Sequence, residues 1–321
     1  MTGHWSEYWK QGHITSFGSD YEKNYTGQLK DIWSNIFSQF PMGFKVLDVA
    51  TGNGALPLLI QDYFSKLSVE GNVKGVDYAD INLVPLVNSH INKNVVIELL
   101  GNTSAESLPF SDFEFDTVIS QFGIEYSDLV ISVPEVLRVL RDQGTFHAVI
   151  HHQKSVVIRY NSKLLSFLQY PEIERLVFLL KVMAHDMGEM INRQDLIRIR
   201  SCAICEKSRI EINALLSKLA AYDEISLSET GILSYVNVFF RNGLFWSIEK
   251  KLEYLAFVSK QITVYRQRLT ELVEASMSFE CIDTFREILN QSAVTTFSVE
   301  EVVNNTGDIL AWYVFFSKDS H

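Results

Sequence analysis

Two acids and a pair of glycines carry the chemistry that this sequence offers most openly. Asp48 stands four residues before Gly52 in Phe44-Lys-Val-Leu-Asp-Val-Ala-Thr-Gly-Asn-Gly54, and Asp77 comes 23 residues after Gly54, closing Val73-Lys-Gly-Val-Asp77. Glycines two apart let backbone come close to a ligand, because neither carries a Cβ to hold it off. Pro57 falls in the first turn of the helix that must follow, where its missing N–H costs nothing and its fixed φ helps. A dinucleotide fingerprint would place a third glycine where Pro57 stands, and a carboxylate at Asp48 would oppose a pyrophosphate. Asp48 suits a ligand with a cationic group, and an acid in the place of Asp77 can accept hydrogen bonds from two ribose hydroxyls. The four residues outline a site for a nucleoside bearing a positive charge.

The elements that position them alternate. Val46 to Val49 reads as a short buried strand and Leu56 to Leu67 as the helix after the glycine turn. Val73 to Asp77, Val95 to Leu100, Phe115 to Phe122 and Thr145 to His151 read as further strands, with helices over Ile81 to His90, broken or bent at Pro85, and over Val133 to Leu140. Such alternation predicts an α/β fold with a doubly wound, mostly parallel sheet. From 153 to about 290 the pattern is helical throughout, with stripes in Val156 to Leu168, Ile173 to Met187, Leu196 to Leu219 and Phe245 to Met277, broken at Asn192-Arg193-Gln194-Asp195 and Ser226 to Gly231. The end returns to strand period. Val294 to Val303 and Ile309 to Phe316 flank the turn-rich Asn304 to Asp308 and predict a closing antiparallel hairpin, a helix over Ser298 to Asn304 being the alternative for its first arm. The expected divisions are an aromatic helical segment at 1–43, a ligand-binding α/β core at 44–152, a large helical insertion at 153–292 placed as a lid, and the hairpin at 293–321.

Val46-Leu-Asp-Val-Ala-Thr-Gly-Asn-Gly54 resembles the first motif of the class I S-adenosylmethionine-dependent methyltransferases, which have a Rossmann-like fold. Val73 to Asp77, Ala105-Glu-Ser-Leu-Pro-Phe110, Phe115-Asp-Thr-Val-Ile-Ser-Gln-Phe-Gly123 and Val136-Leu-Arg-Val-Leu-Arg-Asp-Gln-Gly144 agree with later motifs in order and spacing. The resemblance covers about residues 44 to 152 and, more loosely, the final hairpin; it leaves the helical insertion uncovered. It implies S-adenosyl-L-methionine as cofactor and S-adenosyl-L-homocysteine as product. By it, Gly52, Asn53 and Gly54 meet the methionine portion, Asp48 lies near the ammonium, and Asp77 holds the ribose. Tyr78 or Ala79 packs on adenine, Ser104, Ala105 and Glu106 lie at its edge, and Gln121 and Phe122 line the floor near the sulfonium. Ala50 replaces the first glycine of the family's loop, which the turn absorbs where its φ is negative. Ser104 replaces the acid that often meets the adenine amino group, with Asn102 or Thr103 as substitutes.

Methyl transfer from a sulfonium is an in-line displacement with an activated donor, so the protein's task is to align the reacting atoms at about 3 Å and exclude water. A base is needed only where the acceptor must lose a proton. Glu125 and Tyr126 past the fourth strand, and His151 and His152 past the fifth, are the candidates, at most one histidine facing the site. Each has a plainer reading: Glu125 can cap a helix or touch cofactor, and the histidines can pack. His147, within the strand, reads as packed and hydrogen-bonded. Of the N-terminal rings, Tyr8, Tyr21 or Tyr25 could lie over a ligand, although core packing accounts for most of them. Cys202-x-x-Cys205 lacks a second pair of ligands for zinc, and Met183, Met187 and Met190 fit a core as well as an acceptor pocket. Arg193, Arg198 and Arg200 read as a solvated face, or as a partner for an acceptor carboxylate.

Composition narrows the partners. With 39 acidic and 28 basic residues the formal charge is -11, which repels nucleic acid and acidic membrane surfaces. Three cysteines argue against a disulfide framework and for a reducing cytoplasm. No signal peptide and no apolar run of about 18 residues is visible. The expectation is a cytoplasmic methyltransferase acting on a small-molecule acceptor, without nucleic acid or membrane, with room for a homodimer. Protein methylation and a non-catalytic cofactor-binding module are the competing readings.

Overall fold

The computed structural model describes residues 3–17, 23–81, 94–290, 292 and 294–319. Seven strands form one sheet: β1 (Phe44–Val49), β2 (Gly71–Val76), β3 (Val95–Leu100), β4 (Phe115–Gln121), β5 (Leu140–Ile150), β6 (Val294–Val303) and β7 (Ile309–Lys318). Their order is β3-β2-β1-β4-β5-β7-β6. The pairs from β3 across to β5 are parallel, and β7 runs antiparallel to both β5 and β6. Strand order reverses between β1 and β4, and the crevice beyond the carboxyl ends at such a point is where open α/β sheets bind ligands.

Helices α1 (Gly3–Lys10), α2 (Gly27–Phe37), α3 (Ala55–Tyr63) and α4 (Leu129–Val139) precede the helical stretch. That stretch contains α5 (Val156–Leu168), α6 (Pro171–Met187), α7 (Arg193–Arg200), α8 (Ala203–Glu229), α9 (Ile232–Arg241), α10 (Ile248–Ala275) and α11 (Phe279–Asn290). β1 is apolar on both faces because both are covered: Phe44, Val46, Leu47 and Val49 are fully buried. On one face Val46, Ile119 and Val149 pack with Trp33 and Phe37 of α2 and Leu59 and Ile60 of α3. On the other, Leu47, Val118 and Phe146 pack with Val133 and Val136 of α4 and Ile282 and Phe285 of α11.

The chain divides into two compact units, 1–158 with 271–321, and 159–270. The second has its own core, in which Met183, Met187, Met190 and Cys205 are buried among Leu180, Ile212 and Phe239. Cys202 and Cys205 are free thiols, and among the described residues no group of His, Cys, Asp or Glu is placed to hold a metal ion. Among the described residues, no helix is long and apolar enough to cross a membrane.

Several helix boundaries depart from expectation for local reasons. The polar stretch at Asn192 is a helix start: its side chain accepts the Gln194 N–H at 2.8 Å, and Asp195 returns by accepting the Asn192 N–H at 3.1 Å. The stripe from Leu196 to Leu219 is therefore two helices, α7 and α8. Ser226 does not end α8, which instead bends at Asp223 (φ −160°, ψ 98°), whose carboxylate accepts the N–H and O–H of Ser226 at 3.1 and 2.7 Å. β6 is a strand across Ser298 to Val303, so the helical alternative there falls. The helix expected over Ile81 to His90 lies, beyond Ile81, outside the described residues, as does Tyr21.

α11 belongs to the first unit through its buried stripe, which gives a direct check. Phe285 is fully buried, and Phe285→Ala is expected to lower stability by about 3–5 kcal/mol, read as a reduced midpoint in urea unfolding.

Candidate functional site

The turn after β1 is held by carboxylates rather than by glycine alone. Asp48, 1% exposed, accepts the Thr51 hydroxyl at 2.6 Å. Asp77, just past β2, accepts the Gly52 N–H at 2.7 Å on one oxygen and the Ala79 N–H at 2.8 Å on the other. Two neighbouring strand ends are thereby tied at the switch point. Gly52 and Gly54 take φ of 54° and 88°, and Gly54 is the residue from which α3 starts. Ala50 also has a positive φ, 59°, so it carries the left-handed strain that the family's glycine would avoid. Its Cβ fills room left by Gly123, where an added Cβ would come within 2.3 Å of it.

The N-terminal segment closes over this turn. Asn53, fully buried, donates its side-chain amide to Trp9 O at 2.9 Å and His13 O at 2.8 Å. A Cβ on Gly52 would meet the Trp9 ring at 2.6 Å. His4 Nε2 and Trp5 Nε1 both hydrogen-bond Glu271 Oε2, at 2.8 and 2.9 Å, joining α1 to the last turn of α10 within the first unit.

Beyond the strand ends lies a cavity of about 910 Å³. Asp77, Tyr78 and Ala79 form one side of it, Thr103 to Ser107 a second, and Phe122, Gly123, Glu125 and Tyr126 a third. Trp5, Trp9 and Ser16 close it from the N-terminal segment, and Glu271, Glu274 and Ala275 from α10. A second space of about 30 Å³ lies deeper, between Trp9, Ser16 and Tyr25 on one side and Asp48, Gly52 and Gln121 on the other. Gln121 is 7% exposed; its Oε1 accepts the Trp33 indole N–H, and its Nε2 has no partner.

Of the residues singled out from sequence, Ala50, Asp77, Tyr78, Ser104, Ala105 and Glu106 line the large cavity, as do Phe122, Glu125 and Tyr126. Asp48, Gly52 and Gln121 line the small one. Asn53 and Gly54 line neither: the first anchors the N-terminal segment and the second starts α3. Of the rings considered over the ligand, Tyr25 lines the small space, while Tyr8 is turned to Thr15 O at 2.7 Å.

The acceptor-side candidates separate. Glu125 is 6% exposed; its Oε1 accepts the His151 N–H at 2.9 Å and its Oε2 has no partner. Burial pushes its carboxyl up to about 7. His151 stacks on Phe122 at 4.4 Å, fully buried, with neither ring nitrogen partnered. Burial drives it down to about 3, a neutral ring behind the cavity wall rather than in it. His152 turns to Glu301 at 3.3 Å and lies against Trp312 at 4.2 Å, so it too lies outside the cavity lining. His147 hydrogen-bonds Tyr313 at 2.7 Å and is packed within β5. Sequence reasoning missed Trp5, Trp9 and Ser16, and Glu271 and Glu274 of α10. The aromatic density of the first ten residues was the only signal for any of them.

The strand order, the glycine turn and the acid just past β2 are similar to those of the class I S-adenosylmethionine-dependent methyltransferases, and the sheet has their Rossmann-like arrangement. Residues 47–148 match the family model for a methyltransferase domain. The chain is 33% identical over 152 residues to the ubiquinone/menaquinone biosynthesis C-methyltransferase UbiE of Rickettsia felis, covering 43% of this chain and 60% of that protein. It is 30% identical over 158 residues to UbiE of Rickettsia typhi, covering 46% and 62%. The chain thus spans about three fifths of the length of these curated relatives. Among solved structures, a putative S-adenosyl-L-methionine-dependent methyltransferase of Methanococcus maripaludis aligns over 91% of this chain and 85% of its own, with 11% identity and a TM-score of 0.41. YcgJ of Bacillus subtilis aligns over 91% and 98%, with 17% identity and a TM-score of 0.36.

The donor set fits the cofactor. Asp77 has lone pairs left for ribose hydroxyls, the unpartnered Gln121 Nε2 suits a carboxylate, and Asp48 suits an ammonium.

Two predictions follow from this geometry. Ala50→Gly relieves a positive φ and is expected to raise stability by about 1 kcal/mol in chemical denaturation. Burial raises three carboxyls, Asp48 to about 8, Glu125 to about 7 and Asp77 to about 6. Each is therefore a proton held more tightly by the folded chain, a stabilisation complete in acid and lost as pH rises through those values. His147 and His151, lowered from 6.5, act in the opposite sense below that pH. The melting temperature of the cofactor-free protein should fall between about pH 6.5 and 8, and Asp48→Asn should flatten the fall.

Proposed function

We propose that this chain transfers a methyl group from S-adenosylmethionine to a small-molecule acceptor held beside Glu125 and Tyr126. The observation that carries this reading is one continuous cavity running from Asp77, the ribose acid, to Glu125, a buried carboxylate with a free oxygen. Its volume, about 910 Å³, lies in the range of small-molecule sites. The names of the UbiE relatives, enzymes of ubiquinone and menaquinone biosynthesis, support a small acceptor.

The cofactor supplies a methyl carbon already activated by positive charge. The chain's own part is alignment and exclusion of water. Asp77 fixes the ribose while still holding the Gly52 and Ala79 amides, so ribose and glycine turn share one carboxylate. Gln121 and Asp48 take the two charged groups of the methionine arm, and Phe122, backed by His151, forms a dry floor. At about 30 Å³ the deeper space is smaller than that arm, so Trp9 and Ser16 must move outward on binding.

The same reading includes a cytoplasmic enzyme without nucleic-acid or membrane partners, supported by the charge of -11. It includes a lid role for residues 159–270, supported by connectivity: the chain leaves the first unit shortly after β5 and returns at Glu271, a cavity residue.

Calorimetry with S-adenosylhomocysteine tests the reading. Wild-type protein should bind it with a change in tryptophan emission that Trp9→Phe diminishes. Asp77→Ala should bind about 10- to 100-fold more weakly, the loss of hydrogen bonds to a charged group. A wild-type protein that does not bind this ligand would sink the proposal.

A further inference from the structure

We propose that the methyl acceptor is an amine, cationic in solution, whose nitrogen sits beside Glu125 and gives up a proton to the free oxygen of that side chain. This rests on the methyl-transfer reading above and names the acceptor class of the same site.

Among the described residues the cavity lining has one sign of charge: Asp77, Glu106, Glu125, Glu271 and Glu274 line it, and no described lysine, arginine or histidine does. An acceptor with a carboxylate or phosphate would enter against that field and find no cation to pair with. A cation is drawn in, and the walls suit it further. Trp5 and Tyr126 meet edge to face at 5.9 Å, and Trp9 stacks on Trp5 at 6.1 Å, giving aromatic surface on which an ammonium gains cation–π attraction.

Most of the carboxylates are already engaged. Asp77 holds two backbone amides, Glu106 accepts the Asp128 N–H at 2.9 Å, and Glu271 accepts His4 and Trp5. Glu274 is exposed. Glu125 differs: it is 94% removed from solvent by its 6% exposure, yet Oε2 has no partner. A buried carboxylate oxygen without a donor is costly, and it is a vacancy that an N–H fills. An ammonium supplies both the donor and the compensating charge, which a neutral hydroxyl or a C–H does not.

The proton inventory closes. Glu125 Oε2 takes one proton from the ammonium, leaving the nitrogen with the lone pair that forms the new N–C bond. The C–S bonding pair stays on sulfur, which loses its charge, and the product leaves as an N-methylammonium while Glu125 returns its proton to water. The titratable groups sharing the cavity with Glu125 are Asp77 and Tyr78 past β2, Glu106 past β3, Tyr126 on its own turn, and Glu271 and Glu274 on α10, with His151 behind it. Burial favours a carboxyl that titrates near neutrality, against the lowering effect of the His151 N–H that it accepts.

The test uses full-length protein saturated with S-adenosylhomocysteine and three isosteres of differing charge: 2-phenylethylamine, 2-phenylethanol and phenylacetate. Calorimetry is expected to give the affinity order amine, alcohol, carboxylate, with amine and carboxylate at least about tenfold apart. With S-adenosylmethionine, an amine panel should be turned over with a rate that rises from pH 6 to 8. Glu125→Gln should keep S-adenosylhomocysteine affinity within about threefold, cut the rate about 100-fold or more and lose the pH dependence, while Glu125→Asp restores the pH limb at reduced rate. An equal or reversed affinity order, no measurable amine binding, turnover of phenols or carbon acids alone, or a Glu125→Gln rate and pH profile like wild type would overturn the proposal. Retained S-adenosylhomocysteine binding in those same samples leaves the methyltransferase reading standing, so the two failures are distinguishable.

Discussion

One carboxylate holds the site together. Asp77 accepts the Gly52 N–H from the turn after β1 and the Ala79 N–H from its own loop, so strand ends that are already paired along their length are tied once more at the ligand edge. The glycine turn cannot drift from β2 without leaving this half-buried carboxylate short of a donor. Asp48 and Thr51 brace the same turn from below, and Asn53 brings the N-terminal segment down on it. Cofactor geometry, cavity roof and switch point all depend on these few hydrogen bonds.

The distribution of charge follows from that frame. A site for a ligand with net positive charge is built with acids, and the first unit carries this policy through the whole cavity. The cost is buried carboxyls that prefer to be neutral in the empty protein. Asp48 and Glu125 are the extreme cases, and both lie where a cationic group is expected. Affinity for the ligands and instability without them have the same source.

The centre of the sheet was legible in the sequence because β1 and β4 are buried on both faces and so read as apolar runs between turn residues. Third-strand bounds at Val95 and Leu100 and the hairpin around Asn304 to Asp308 agree with the pattern. The acids and glycines of the cofactor side were legible because their spacing is imposed by a local turn. Helix ends were less so: Asn192 and Asp195 look like a break until their side chains are seen to cap α7. The roof was hidden for a different reason. Glu271 lies more than 260 positions from His4 and Trp5, and no local pattern announces a pairing that only the tertiary fold creates. The histidines were misleading in the same way, since period-two alternation says which face a side chain takes but not whether that face is open.

Ala50 and Gly123 divide a single methyl-sized volume between them. Where the parallel neighbours β1 and β4 end at the switch point there is room for one Cβ, and this chain has placed it on the β1 side, where the backbone conformation makes it costly. The two positions therefore form an exclusive pair: a chain with glycine at 50 has the freedom to carry alanine at 123, whereas alanine at both would push the two strand ends apart. A swap of the pair keeps one Cβ in that volume and removes the positive-φ strain at 50, so the floor beneath the ligand is preserved by either arrangement.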